Sequence, residues 1–387
     1  MTTITLPTAI GHQASYRMSA PRAWVTSAGP FRRVAFAATH VVADPLADVD
    51  PWLEPAIDWP RTIAFREHLW DLGLGVAEAM DTAQRGMGLD WPSSLELIRQ
   101  SLAAAKGRKG ALIACGAGTD HLAPSADCTI DDVIAAYEHQ IEAIEALGGR
   151  IILMASRALA ACARSPDDYA TVYDRILGQV RAPVIIHWLG EMFDPALAGY
   201  WGHADHMAAM DVCVDVIAAH ASKVDGIKLS LLDKDKEIFL RARLPEGVRM
   251  YTGDDFNYAE LIAGDGRQHS DALLGIFDPI APAASAALLA LSEGRLSDFH
   301  DIFGPTVALS RHIFAAPTRF YKTGVVFMAY LNGHQDHFVM VGGQQSARSL
   351  VHLAELFRLA DAAGLLIEPE RAAARMRKVL AVHGIEG

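Results

Sequence analysis

The chain has 387 residues, 51% of them apolar, and a formal net charge of −12. That length suits one large α/β domain with an appendage, or two domains, and the apolar share is ample for a substantial core. The acidic balance argues against nucleic acid as the main partner, although a local pocket on an acidic protein can still be positive and take a small anion.

No run of about 18 uncharged apolar residues marks a membrane span. The opening MTTITLPTAIGHQASYR lacks a basic segment followed by an apolar one, so no export signal is expected. Cys115, Cys128, Cys162 and Cys213 are scattered without a C-x-x-C pair, which points to a reducing cytoplasm rather than a disulfide framework or a zinc knot.

Residues 1–30 carry Pro7, Gly11, Pro21, Gly29 and Pro30 between short β-prone pieces and read as an N-terminal extension. An alternation then begins. Val34–Ala38 is a short strand ended by Thr39-His40, and Trp59–Leu72 has helical spacing. Gly73–Met80 is a second strand closed by Asp81-Thr82, followed by a helix over Ser93–Ala105 with serines at its start. Gly110–Ala114 is a third strand ended by Cys115-Gly116, and Ile130–Leu147 an amphipathic helix stopped by Gly148-Gly149. Strands over Arg150–Ala155 and Ala182–Ile186 flank a helix at Asp167–Val180, the second strand running into His187. A helix over Ala204–Ala219 precedes the sixth strand, Gly226–Leu229. Val248–Thr252, a helix over Asn257–Gly264, and Ala272–Phe277, closed by Asp278-Pro279, complete the series.

Eight apolar strands without sustained alternation argue for a parallel sheet buried on both faces. A closed (β/α)8 TIM barrel over residues 31–280 fits the count and length; a doubly wound sheet is the rival, but no G-x-G-x-x-G turn follows the first strand. Residues 281–387 are alanine- and leucine-rich and form a C-terminal helical extension, broken around Gly304-Pro305, Pro317 and Gly342-Gly343.

In such barrels chemistry sits at the C-terminal strand ends. There the sequence puts His40, Asp81, Thr82, Cys115, Ser156, His187, Lys228, Asp254, Asp255 and Asp278. Lys228 stands out. An amine held in a partly dry pocket has a lowered pKa and can attack a carbonyl to form a Schiff base. A surface lysine, or an ion pair with Asp254, is the plainer alternative. Asp254 and Asp255 suit either the pocket or a cap on the following helix. Asp81-Thr82 suits a pocket or a turn, and His187 and His40 are proton carriers or core histidines. Cys115 reads as a small apolar filler.

Gly226-Ile227-Lys228, the preceding Ala182-Pro183-Val184-Ile185-Ile186 and the following Gly253-Asp254-Asp255 resemble the dihydrodipicolinate synthase/N-acetylneuraminate lyase superfamily, in a divergent branch. The resemblance covers most of residues 34–365; His40 with the loop to Ile57-Asp58 follows the family's first strand, and Asp81-Thr82-Ala83 falls where its Gly-Thr-Thr-Gly-Glu motif belongs. It implies a class I aldolase or lyase on a (β/α)8 barrel. Lys228 is then the Schiff-base lysine, Asp81 and Thr82 stand where the carboxylate of a 2-oxo acid binds, and His187 replaces a catalytic tyrosine. Ala83 departs from the family's second threonine, and the tyrosine after strand four has no counterpart in Met154-Ala155-Ser156-Arg157. Arg157 is a candidate to hold a substrate carboxylate, and Asp254 and Asp255 to hold substrate hydroxyls or tune Lys228.

The substrate class expected is a small carbonyl compound, a 2-oxo acid or an oxidised sugar derivative, with no organic cofactor because the imine itself is the electron sink. The family's habit suggests a homodimer or homotetramer. A rival set, His187, Glu191 and Asp254, would suit a divalent metal in an isomerase, epimerase or aldolase, with His203, Asp205 and His206 nearby. A non-catalytic ligand-binding homologue is the third alternative.

Overall fold

A computed structural model describes residues 2–9 and 11–385. The chain opens with an antiparallel hairpin, β1 (Thr3–Pro7) and β2 (Gln13–Arg17). Eight parallel strands follow: β3 (Ala35–Ala38), β4 (Gly75–Glu78), β5 (Ile113–Ala117), β6 (Ile151–Met154), β7 (Val184–Leu189), β8 (Val224–Ser230), β9 (Arg249–Thr252) and β10 (Asp271–Leu274). They close into a barrel in sequence order, β10 returning to pair with β3. Around them lie α1 (Trp59–Asp71), α2 (Trp91–Ala105), α3 (Ile130–Ala146), α4 (Arg157–Cys162), α5 (Pro166–Gln179), α6 (His206–Ala219), α7 (Lys234–Arg241), α8 (Tyr258–Ala263) and α9 (Ala281–Ser292). The remaining helices are α10 (Leu296–Ile313), α11 (Tyr321–Asn332), α12 (Leu350–Ala362) and α13 (Pro369–Val382). This is the (β/α)8 barrel with C-terminal helices that the strand count and length imply.

Local chemistry starts these helices. Asp58 accepts from Arg61 N and Asp90 from Ser93 N, each with proline in the first turn, while Thr129 and Asp132 cap each other's backbone reciprocally. The barrel lumen is packed by Phe36, Ala38, Ala77, Ala114, Ile152, Ile185, Tyr251 and Leu273, and a second, larger core lies between strands and helices. Under the second strand the fully buried Arg66 and Glu78 pair through two hydrogen bonds of 2.8 and 2.9 Å, fixing α1 to β4.

The ends of the chain share one layer. Ile4 and Leu6 are buried, Tyr16 donates to Asp361 at 2.8 Å, and Arg377 donates to the Thr3 carbonyl at 2.7 Å, so the hairpin rests on α12 and α13. α11 is buried from Tyr321 to Leu331, and its first turn reaches the barrel mouth.

Several details differ from the sequence reading, among them that β10 ends at Leu274 and that α4 forms directly after β6. β5 runs three residues later than expected, over Ile113–Ala117, so Cys115 is inside the strand and Gly118-Thr119-Asp120 forms its C-terminal end. α10 passes through Gly304-Pro305 without a break; the Asp301 carbonyl that Pro305 cannot serve accepts from Arg22 at 3.4 Å. α7 forms on the charged stretch KDKEIFLR, started by Asp233, which accepts from both Asp235 N and Lys236 N.

Candidate active site

β7 and β8 pair with His187 opposite Lys228. Ile185, two residues earlier on β7, belongs to the lumen, so strand alternation turns His187 and Lys228 inward, each two residues before its strand ends. Lys228 is 7% exposed, and its amine has no hydrogen bond or ion pair among the described residues. Burial lowers its pKa, while the charges of Asp255 and Asp81 pull it back up. Asp255 mirrors this: burial raises its pKa, opposed by a 2.9 Å hydrogen bond from Ile276 N and by Lys228. Each group is thus pushed towards its neutral form by lost hydration and restrained by the other.

Gly253 makes room for the lysine. A Cβ there would lie 2.3 Å from Ser230 Oγ and 3.0 Å from Lys228 Cε. Ser230 Oγ is also 3.2 Å from His187 Nε2, whereas His187 Nδ1 is sealed without a partner. Burial first, then the Lys228 charge, hold the imidazole well below its ordinary pKa, so it is neutral at pH 7.

Over the strand ends opens a cavity of about 100 Å³, lined in part by Asp81, Asp120, Arg157 and His187. Lys228 is beside His187 on the next strand and is not itself part of that lining. A second lobe of about 190 Å³ shares Asp81, Arg157 and Asp194 and adds Arg319 and Lys322 from the C-terminal region. Arg157 begins α4, whose cap Ser156 accepts from Leu159 N, and its Nε pairs with Asp194. Gly86, at φ +69°, lets the guanidinium lie over its loop, since a Cβ there would be 2.5 Å from Arg157 Nη1.

The other sequence candidates lie elsewhere. Thr82 is buried and its hydroxyl is 2.8 Å from Tyr321 OH, joining the barrel to α11. His40 is fully buried against Phe65, with Nδ1 2.7 Å from Asp278, and lies outside the lining of both lobes. Asp254 spends its oxygens on Phe256 N, Asn257 N and Asn257 Nδ2, at 2.8–3.0 Å; the turn that starts α8 claims it, and the carboxylate whose charge acts on Lys228 is Asp255. The metal set His187, Glu191 and Asp254 does not assemble: Glu191 pairs with His206 at 3.2 Å, and no three His, Cys, Asp or Glu side chains converge to hold a metal among the described residues.

Comparison with known proteins gives one family. The model described as protein of unknown function, DUF993, matches residues 4–385. The chain belongs to that family. No curated protein matches the sequence. Among solved structures, the 4-hydroxy-tetrahydrodipicolinate synthase of Methylacidiphilum fumariolicum SolV is 14% identical, with a TM-score of 0.64 over 90% of this chain and 99% of that one. Dihydrodipicolinate synthase from Cyanidioschyzon merolae with lysine bound is 14% identical, TM-score 0.63, over 86% and 98%. The enzyme from Aquifex aeolicus is 12% identical, TM-score 0.60, over 92% and 99%. This DUF993 chain therefore has the dihydrodipicolinate synthase fold that the motifs around Lys228 imply.

Sequence reasoning missed several residues at the site. Asp120, which burial pushes up but Arg85 and Gln140 together hold below the ordinary carboxylate range, became visible only with the true end of β5. Tyr321 and Lys322 come from a helix assigned to an appendage. A single lysine within the apolar run Tyr321-Lys322-Thr323-Gly324-Val325-Val326-Phe327 is the signal that was there to find.

Proposed function

We propose that this DUF993 chain is an imine-forming carbon–carbon lyase or synthase acting on a small 2-oxo acid or oxidised sugar derivative. The observation that carries the reading is the Lys228 amine: desolvated, without a hydrogen-bond partner, and flanked by a neutral imidazole and a carboxyl at the barrel's C-terminal end. Desolvation raises the fraction of neutral, nucleophilic amine.

The chemistry balances with these groups alone. Neutral amine and carbonyl condense to the imine with loss of one water. Protonated at nitrogen, the imine accepts the electron pair released when the neighbouring carbon–carbon bond breaks. The proton of the cleaved β-hydroxyl passes to a base, the role assigned to His187, whose depressed pKa keeps it available as acceptor. The enamine is then protonated at carbon, and water frees the amine. Asp255 tunes Lys228 through its charge, Asp81 is suited to a substrate hydroxyl, and no organic cofactor enters. We further propose a homodimer or homotetramer; Leu46, Trp52 and Leu53, exposed at 91, 75 and 78% on one loop, support a self-association surface.

Borohydride reduction in the presence of pyruvate, 2-oxoglutarate or glyceraldehyde, with peptide mapping, tests the reading. An adduct on the Lys228 peptide, absent from Lys228→Ala, is expected. Adducts on another residue, or none with any probe, overturn it. Ligand affinity undiminished in Lys228→Ala, with no turnover in either protein, is the signature of a non-catalytic binder.

A further inference from the structure

Lys322 is a buried ammonium that makes no ion pair among the described residues, although the carboxylates of Asp81 and Asp194 line the same lobe. It is the second residue of α11, 5% exposed; its amine hydrogen-bonds the Arg319 carbonyl at 3.1 Å and the Met87 sulfur at 3.2 Å and lies 4.9 Å from the centre of the Tyr321 ring. Neither partner is charged, and no ion pair to Lys322 forms among the described residues. Burying a charge in this state is costly unless something balances it. The lobe that Lys322 lines also holds Arg319 and Arg157. Arg157 uses Nε on Asp194, and its two terminal nitrogens donate to nothing among the described residues. Three cationic groups with unused donors therefore border the same space.

The same lobe carries the carboxylates of Asp81 and Asp194, Asp194 being paired with Arg157, so only its Arg157–Arg319–Lys322 side can take an anion. The Thr82 hydroxyl beside Asp81 is committed to Tyr321. The resemblance puts the substrate carboxylate at that motif, but here its charge is wrong.

We infer that the lobe bounded by Arg157, Arg319 and Lys322 is an anion subsite of the reaction centre, so that the substrate is an anionic carbonyl compound whose carboxylate or phosphate points towards α11. The placement of the carbonyl rests on the imine reading; the anion subsite does not. A guanidinium with both terminal nitrogens free can hold a carboxylate or phosphate through two parallel hydrogen bonds, and Lys322 supplies a point charge beside it. The C-terminal helices thereby contribute substrate selection to a barrel whose own strand ends carry the nucleophile.

Calorimetry with two probes that lack a carbonyl, inorganic phosphate and glutarate, separates the possible sources of the anion and needs no imine. At least one is expected to bind at pH 7, with similar affinity in Lys228→Ala. Lys322→Met should weaken it about tenfold or more, Lys322→Arg should recover part of the loss, and the exposed Arg319→Gln should weaken it by a smaller factor. No binding of either probe at tens of millimolar, or equal affinity in folded Lys322→Met and Arg319→Gln, overturns the inference and leaves the borohydride test untouched. Conversely, Lys322-dependent binding without any Lys228 adduct keeps the subsite and removes the imine.

Discussion

Replacing Lys322 by Met should stabilise the folded chain at neutral pH. Burial lowers the amine from 10.5 to about 8, with Asp81 opposing and Arg157 adding to the shift. At about 1.4 kcal/mol per pH unit, keeping it charged in the folded state costs about 3 kcal/mol. The substitution gives up the hydrogen bond to the Arg319 carbonyl, about 1 kcal/mol net. Met approximates the lysine stem in length and sits against Met87, so little packing is lost. The expected gain is about 2 kcal/mol, read from urea unfolding at pH 7. The sign of the pH dependence follows from the lowered folded-state value. Between about 8 and 10.5 the unfolded chain binds more protons at this site than the folded one, so wild-type stability rises with pH there. The advantage of the variant is therefore full below pH 8 and shrinks towards pH 10. A Lys322→Met chain less stable than wild type at pH 7 with an unchanged m-value, or a difference that stays constant between pH 8 and 10, would refute the reasoning.

Three further outcomes follow from the geometry. Tyr321→Phe strips the buried Thr82 hydroxyl of its 2.8 Å partner and should cost about 1–2 kcal/mol, visible as a lower urea midpoint. Glu78→Gln leaves Arg66 charged and fully buried without its bidentate partner; a loss of about 3–5 kcal/mol in chemical denaturation is expected, and a loss below 1 would show that the pair is dispensable. Gly253→Ala drives a methyl into Ser230 Oγ, the Leu229 carbonyl and Lys228 Cε, and should slow borohydride trapping of pyruvate about tenfold or more, since a shift of the reacting amine by even 1 Å is enough for a large rate loss. Trapping at the wild-type rate would mean that Lys228 is free to move away from that wall.

The barrel was legible because its signals are local and repeated. Short apolar strands, caps such as Asp58 and Thr129, and the glycine stop at Gly148 each fix one element, and eight in succession leave few architectures. Strand ends were less legible, because a buried parallel strand has no alternation to set its register. The three-residue slip in β5 moved Cys115 inside and hid Asp120. Pairs such as Asp254 and Asp255 carry the same chemistry in sequence; the turn takes the three hydrogen bonds to Asp254, and it is the Asp255 charge that acts on Lys228.

The C-terminal region was harder for a different reason. Apolar content reads the same whether a helix only covers a barrel's flank or also reaches its mouth, and α11 reaches the mouth through its first turn. What separates the two cases is the cost of the exceptions: a helix that only covers a flank has no use for an ammonium at its first buried turn, and selection for packing alone would replace Lys322 with an apolar residue. On the anion-subsite inference, the charge that balances Lys322 beyond Asp81 and Asp194 arrives with the ligand, which ties the stability gain expected for Lys322→Met to the loss of anion binding in the same variant. If that substitution stabilised the chain and left phosphate and glutarate binding intact, the two effects would be uncoupled, and the lysine would need an explanation in folding rather than in recognition.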